Sequence, residues 1–157
     1  MKHTISVLVE NKFGVLARIA GLFSARGYNI ASLAVSETLD PNTSYMTIVV
    51  EAKDENVLEQ INKQLNKLID VITVTDFTKK EYVDRELVLA KIKYSPKDKP
   101  KIEAVLDKFV GKIIARKDNT AIIEAVGNQQ QIKLLLEGLN KFGIKELVRT
   151  GKLVISS

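Results

Sequence analysis

The chain has 157 residues, 45% of them hydrophobic and 27% charged, the profile of an ordinary globular protein with room for one domain or two small ones. It has no cysteine and a single histidine, His3, which excludes disulfides, thiolate metal sites, cysteine nucleophiles and a typical histidine-built zinc site. The net charge of +5 is unevenly spread: residues 1–79 carry 8 Lys/Arg against 9 Asp/Glu and residues 80–157 carry 16 against 10, a break that marks two units with different partners.

The first ten residues read as a strand. "MKHTISVLVEN" places Glu10 soon after its apolar run and has no small-residue cleavage site, so it does not read as a signal peptide. No apolar run approaches the ~18 residues of a membrane helix, and a cytoplasmic location is expected. His3 reads as a half-exposed strand residue. "ISVLVE" (5–10) is β-rich. After the turn Asn11-Lys12-Phe13-Gly14, apolar residues at Val15, Leu16, Ile19, Leu22 and Phe23 keep helical spacing, and Gly27 stops that helix. Residues 29–37 and 45–52 form a hairpin through the turn Asp40-Pro41-Asn42. Asp54 caps a second helix with Val57, Leu58, Ile61, Leu65 and Leu68 on one face, and "VITVTDFT" (71–78) is a strand.

The second half repeats the order. Residues 85–94 read as a strand, "SPKDKP" as a loop, and Pro100 suits the first turn of a helix buried through Ile102, Val105, Leu106 and Phe109. Residues 112–127 form a hairpin turning at Asp118-Asn119. Asn128 and Gln131 match a capping box, ahead of a helix lined by Ile132, Leu135, Leu136, Leu139 and Phe142 and ended by Gly143. One or two strands close the chain. The expected fold is α+β: two tandem βαββαβ, ferredoxin-like domains, residues 1–79 and 80–157. Units of ~75 residues sit near the lower size limit for a self-sufficient core, and an open sheet edge invites pairing with a second copy, so at least a dimer is expected.

The chemistry-bearing residues point to binding rather than catalysis. The paired carboxylates, such as Asp54-Glu55 and Glu81 with Asp84, lie in polar turns or on outer helix faces. No nucleophile–base–orienter set can be built around one histidine, and phosphate-binding glycine patterns are absent. The cluster Lys91, Lys93, Lys97, Lys99, Lys101 raises a phosphate partner, but Tyr94 is its only aromatic and neither unit has an aromatic RNA-binding strand. The first loop is different. The amides of Gly14, Val15 and Leu16 point out of a helix start, which favours a carboxylate. Gly14 lets a ligand approach the backbone, and Asn11 offers a donor and an acceptor. Asn29 opens the next strand with a second carboxamide, and Ile30 adds a branched apolar surface. The outer face of the first helix is small (Ala17, Ala20, Gly21, Ser24, Ala25), which permits close approach by another element.

"ISVLVENKFGVLARIAGLFSARGYNIASLAV" closely resembles the start of the small regulatory subunits of acetolactate synthase (acetohydroxyacid synthase). "DPNTSYMTIVV", "LEQINKQLNKLIDVITVTD", "RELVLAKI" and "RTG" agree with the same family, so the resemblance covers essentially the whole chain. It implies an ACT domain, an amino-acid-sensing module, over 1–79 and the family's ferredoxin-like C-terminal domain over 80–157. It also implies a subunit with no active site or cofactor of its own. The partner would be the catalytic large subunit, which carries thiamine diphosphate, Mg²⁺ and FAD and condenses two pyruvates, or pyruvate with 2-oxobutyrate. The small subunit would activate it and confer feedback inhibition by valine, or by leucine or isoleucine. The family's effector positions fall on Asn11, Gly14, Val15 and Leu16 of one chain and on Asn29 and Ile30 of its partner, across an ACT–ACT homodimer. Neither nucleic acid nor membrane is implied. Two departures stand out. Ala17 and Ala34 occupy positions where the family often has a hydroxyl residue, and "GKIIARKDNT" lacks the Asp that commonly follows its "II" pair. The alternative reading is a stand-alone amino-acid-binding or RNA-binding ferredoxin-like module.

Overall fold

A computed structural model describes residues 1–157. Its first strand, β1 (Lys2–Glu10), alternates so that Ile5, Val7 and Val9 share one face. Helix α1 (Val15–Ala25) buries Val15, Ile19 and Phe23, one residue per turn. β2 (Asn29–Glu37) and β3 (Thr43–Glu51) form the hairpin, α2 (Glu55–Asn66) buries Leu58, Ile61 and Leu65, and β4 (Val71–Asp76) completes the set. The strands pair antiparallel in the order β2-β3-β1-β4, so β2 and β4 are the edges. Both helices cover one face, where Met46, Ile48 and Val50 join the residues of β1 in a single core.

The second set repeats the plan. β5 (Tyr82–Lys93) leads through a short 3-10 turn, Pro96–Asp98, into α3 (Lys99–Asp107). β6 (Gly111–Lys117) and β7 (Thr120–Gly127) form a hairpin, then come α4 (Gln129–Asn140) and β8 (Ile144–Arg149). The order β6-β7-β5-β8 is the first sheet over again, with the short β9 (Leu153–Ser156) added beside β5. Val88, Ala90, Ile92, Ile102, Leu106, Ile123, Leu135 and Leu139 build its core. Even the irregularities recur. The register slips at Leu8/Val9 against β4 and at Lys91/Ile92 against β8, and again at Ile30/Ser32 and Ile113/Ala115 within the two hairpins.

Local chemistry accounts for the boundaries. Asp54 accepts from the Val57 amide, and Asn128 and Gln131 close a reciprocal capping box. Asp118 and Asn119 both take positive φ, the two-residue turn whose twist suits a hairpin. Three features differ from the sequence reading. His3 is buried, not half-exposed, because it shares the helix-facing side of β1 with Ile5; its Nδ1 lies 3.2 Å from Thr78 Oγ1. Leu16 is 45% exposed, since adjacent residues of a helix cannot both face a core that takes Val15. Finally, the compact units are Met1–Tyr82 with Val154–Ser157, and Val83–Leu153, so the last residues join the first unit rather than the second. There Val154 is buried, its carbonyl accepts from the Tyr45 hydroxyl, and the Ser157 amide reaches the Glu81 carbonyl.

Candidate functional site

β1 delivers the chain to a loop at one end of the first sheet. The Glu10 amide donates to the Asp70 carbonyl at 2.9 Å and the Asn11 amide to the Asn42 carbonyl at 2.7 Å. The Asn11 carboxamide donates through Nδ2 to the Pro41 carbonyl at 2.9 Å. Three segments far apart in sequence are thereby tied together: the β1–α1 loop, the β2–β3 turn and the lead-in to β4. Asn11 is less free than its side chain suggests. One of its two N–H donors is engaged, and the other N–H and Oδ1 remain for a ligand.

Gly14 stands at the start of α1 with φ +83°, a left-handed conformation that only glycine adopts readily. No side chain caps this helix. The Val15 amide bends back to the Lys12 carbonyl at 3.3 Å, and the first bond of the helix runs from the Arg18 amide to the Gly14 carbonyl at 3.0 Å. The amides of Gly14, Leu16 and Ala17 are therefore the ones a helix start leaves without internal acceptors, one of them a residue further in than the sequence suggested.

The charges around the loop are arranged in pairs. Lys12 Nζ lies 2.8 Å from Glu10, whose carboxylate accepts its hydrogen bond and holds the ammonium pKa above its ordinary value. Arg18 donates through Nε and Nη2 to Asp70 Oδ2 at 2.9 and 2.6 Å, and Asp70 is buried. A Cβ placed on Gly14 would stand 3.2 Å from Arg18 Nη1, so the guanidinium packs over the bare glycine and adds positive charge to the helix end. The Arg18–Asp70 pair escaped the sequence reading. The available signal was a lone Asp between Ile69 and Val71, where an apolar lead-in to a strand needs no carboxylate.

The remaining expected site residues separate. Val15 is 3% exposed and belongs to the core, so it cannot meet a ligand, whereas Leu16 can. Asn29 is exposed at the start of β2, and Ile30 packs part-buried against the core. The register sets their distance from Asn11. Asn29 and Lys2 both lie opposite Glu51, whereas Glu10 lies opposite Thr43 and Glu37 opposite Ser44. Within one chain, Asn29 and the Asn11 loop therefore occupy opposite ends of the sheet, about 27 Å apart for eight strand steps. No group of three or more His, Asp or Glu side chains that could hold a metal ion is present. In the basic cluster, Lys91 is paired with Glu146 and Lys99 with Glu103. No helix is long and apolar enough to cross a membrane.

Comparison with known proteins places this arrangement. Residues 5–73 match the family of AHAS small subunit-like ACT domains, and residues 85–157 match the family described as small subunit of acetolactate synthase. The "Probable acetolactate synthase small subunit" of Archaeoglobus fulgidus is 46% identical over 155 residues, covering 99% of this chain and 96% of that protein. The acetolactate synthase small subunit of Bacillus subtilis is 40% identical over 151 residues, covering 96% and 88%. The crystal structure of the small subunit from Thermotoga maritima superposes with a TM-score of 0.87 at 35% identity, covering 100% of this chain and 98% of that one. The chain belongs to the family of acetolactate synthase small subunits, with an ACT domain as its first unit.

Proposed function

We propose that this chain is a non-catalytic regulatory subunit: it raises the activity of a catalytic large subunit and makes that enzyme sensitive to a branched-chain amino acid, valine first. One observation carries the reading, the separation of the Asn11–Leu16 loop from Asn29 along the sheet. β2 is an edge strand. Antiparallel pairing of β2 with the same strand of a second copy would set Asn29 of one chain at the end where the partner's β2 finishes. That end carries the partner's Asn11 loop, so a homodimer brings together what one chain holds apart. The exposed small residues Ala17, Gly21, Ser24 and Ala25 leave room for a second helix beside α1.

In this site the effector's carboxylate would rest on the amides of Gly14, Leu16 and Ala17 beside Arg18. Asn11 Oδ1 and the partner's Asn29 would hold its polar atoms, and its branched side chain would meet Leu16 and Ile30. Because two chains share the ligand, binding would alter the dimer and reach the large subunit as a coupling free energy, typically about 1–3 kcal/mol. The large subunit would supply thiamine diphosphate, Mg²⁺ and FAD in the cytoplasm, and this chain none.

The decisive experiment assays the large subunit with and without this chain, each with and without valine, leucine and isoleucine. Stimulation by the chain, reversed by one of the three, is expected; equal rates throughout would refute the reading. Gly14→Asp puts a carboxylate at the ligand's place and forces a side chain into positive φ. It should raise the valine concentration for half-inhibition at least tenfold while stimulation persists. Ultracentrifugation should show a dimer, and a stable monomer at micromolar concentration would remove the shared site.

A further inference from the structure

The end of the first sheet that carries the Asn11 loop also carries the most exposed large apolar side chains of the first unit. Phe13, Leu39 and Ile69 are 103%, 106% and 93% exposed, and Leu16 beside them is 45% exposed. They sit on the three segments that the hydrogen bonds of Glu10, Asn11 and Arg18 tie together. Loops linked in this way reduce the cost of ordering the backbone when a partner binds. Phe13 alone offers on the order of 150–250 Å², and exposed apolar patches on monomers are often functional.

Two of the charges nearest the loop are taken up in ion pairs. Lys12 pairs with Glu10 and Arg18 with Asp70, and Asp40 accepts from the Asn42 amide. The exposed side chains of this end that are largest and least satisfied are therefore apolar, which suits an apolar partner. A second copy paired along β2 would leave Ile69 uncovered. Ile69 precedes β4, the opposite edge of the sheet, three strand spacings or about 14 Å from β2. The family of this chain is that of a small subunit with a large-subunit partner. We propose that Phe13, Leu39 and Ile69 form a docking tip that seats in an apolar socket on the catalytic large subunit. The assignment rests on the regulatory reading above and deepens it. Phe13 lies between Asn11 and Gly14, so the loop that would hold the effector is also the loop that grips the enzyme. A ligand there would change the grip.

The test measures binding of the full-length chain to immobilised large subunit, together with its stimulation of that enzyme. The triple variant Phe13→Ser, Leu39→Ser, Ile69→Ser is compared with wild type, with Leu39→Ser alone, and with Val110→Ser, an equally open apolar residue of the second unit that is 84% exposed. The triple variant should keep the wild-type circular dichroism and the wild-type mass by light scattering. Its dissociation constant and half-stimulating concentration should both rise at least tenfold, Leu39→Ser should show a smaller rise of the same kind, and Val110→Ser none. Unchanged binding by the triple variant would overturn the docking tip. A fall in its mass from dimer to monomer would give the patch to a second copy and overturn it as well. Wild-type chain that binds the large subunit without stimulating it would refute the regulatory reading alone, with the binding comparison still deciding the tip. Wild-type chain that does not bind would refute both.

Discussion

The two units share strand order, helix placement and even register slips, yet they differ where the first strand meets the first helix. In the first unit four residues cross that gap, Gly14 turns with positive φ, and α1 starts with no side-chain cap. In the second unit the same gap holds the 3-10 turn Pro96–Asp98, fixed by Ser95 Oγ donating to Asp98 at 2.9 Å, and Pro100 removes one of the amides of α3. The other helices, α2 and α4, are closed by their own Asp54 and Asn128. Neither α1 nor α3 has a side-chain cap, but a 3-10 turn and Pro100 occupy the start of α3, whereas α1 begins at Gly14 beside an arginine. The difference between the two units lies in what precedes the first helix, not in the scaffold they share.

Breaking the comparison starts in the cores. Leu135→Ala should lower the stability of the second unit by about 2–5 kcal/mol, and Ile61→Ala should do the same to the first. Hydrogen exchange with mass spectrometry would show whether each loss stays in its own unit. Next come the caps. Asp54→Ala and Asn128→Ala should each cost about 1 kcal/mol, read from urea unfolding. Asn11→Ala, by contrast, should leave helix stability nearly unchanged, because α1 has no side-chain cap to lose. Equal destabilisation by all three would erase the distinction drawn between α1 and the two capped helices, α2 and α4. The one gain should come from Val110, a β-branched residue held at φ +51° just after α3, where the first unit has Gly27 at +69° after α1. Val110→Gly should raise the midpoint of thermal unfolding, with a gain of up to about 1 kcal/mol.

Much of the fold is legible in the sequence because its signals are local. Asp118-Asn119 as a turn, the Asn128–Gln131 box, the Asp54 cap and the helical spacing of Leu58, Ile61 and Leu65 each involve residues within a few positions of one another. The same holds for the bare start of α1, announced by Gly14. What could not be read depends on contacts across the chain. The Asn11 carboxamide is half used by a carbonyl at residue 41, and Asp70 draws in Arg18 from 52 positions away. Val15 and Leu16 divide their roles only once the direction of the core is known. His3 is buried because of the strand's phase, which a single polar letter among apolar ones conceals.

The return of Val154–Ser157 to the first unit makes the chain cross between its two units twice, once on either side of residues 83–153. The second unit is in effect an insertion, bracketed by segments of the first. Cutting the polypeptide once near residue 82 would leave residues 154–157 covalently attached to the second piece and still seated through Val154. The pieces should then copurify after a single proteolytic nick. A first unit expressed as residues 1–82 lacks the carbonyl that Tyr45 donates to, and it is a poorer mimic of its native self than one that carries residues 154–157 on a linker.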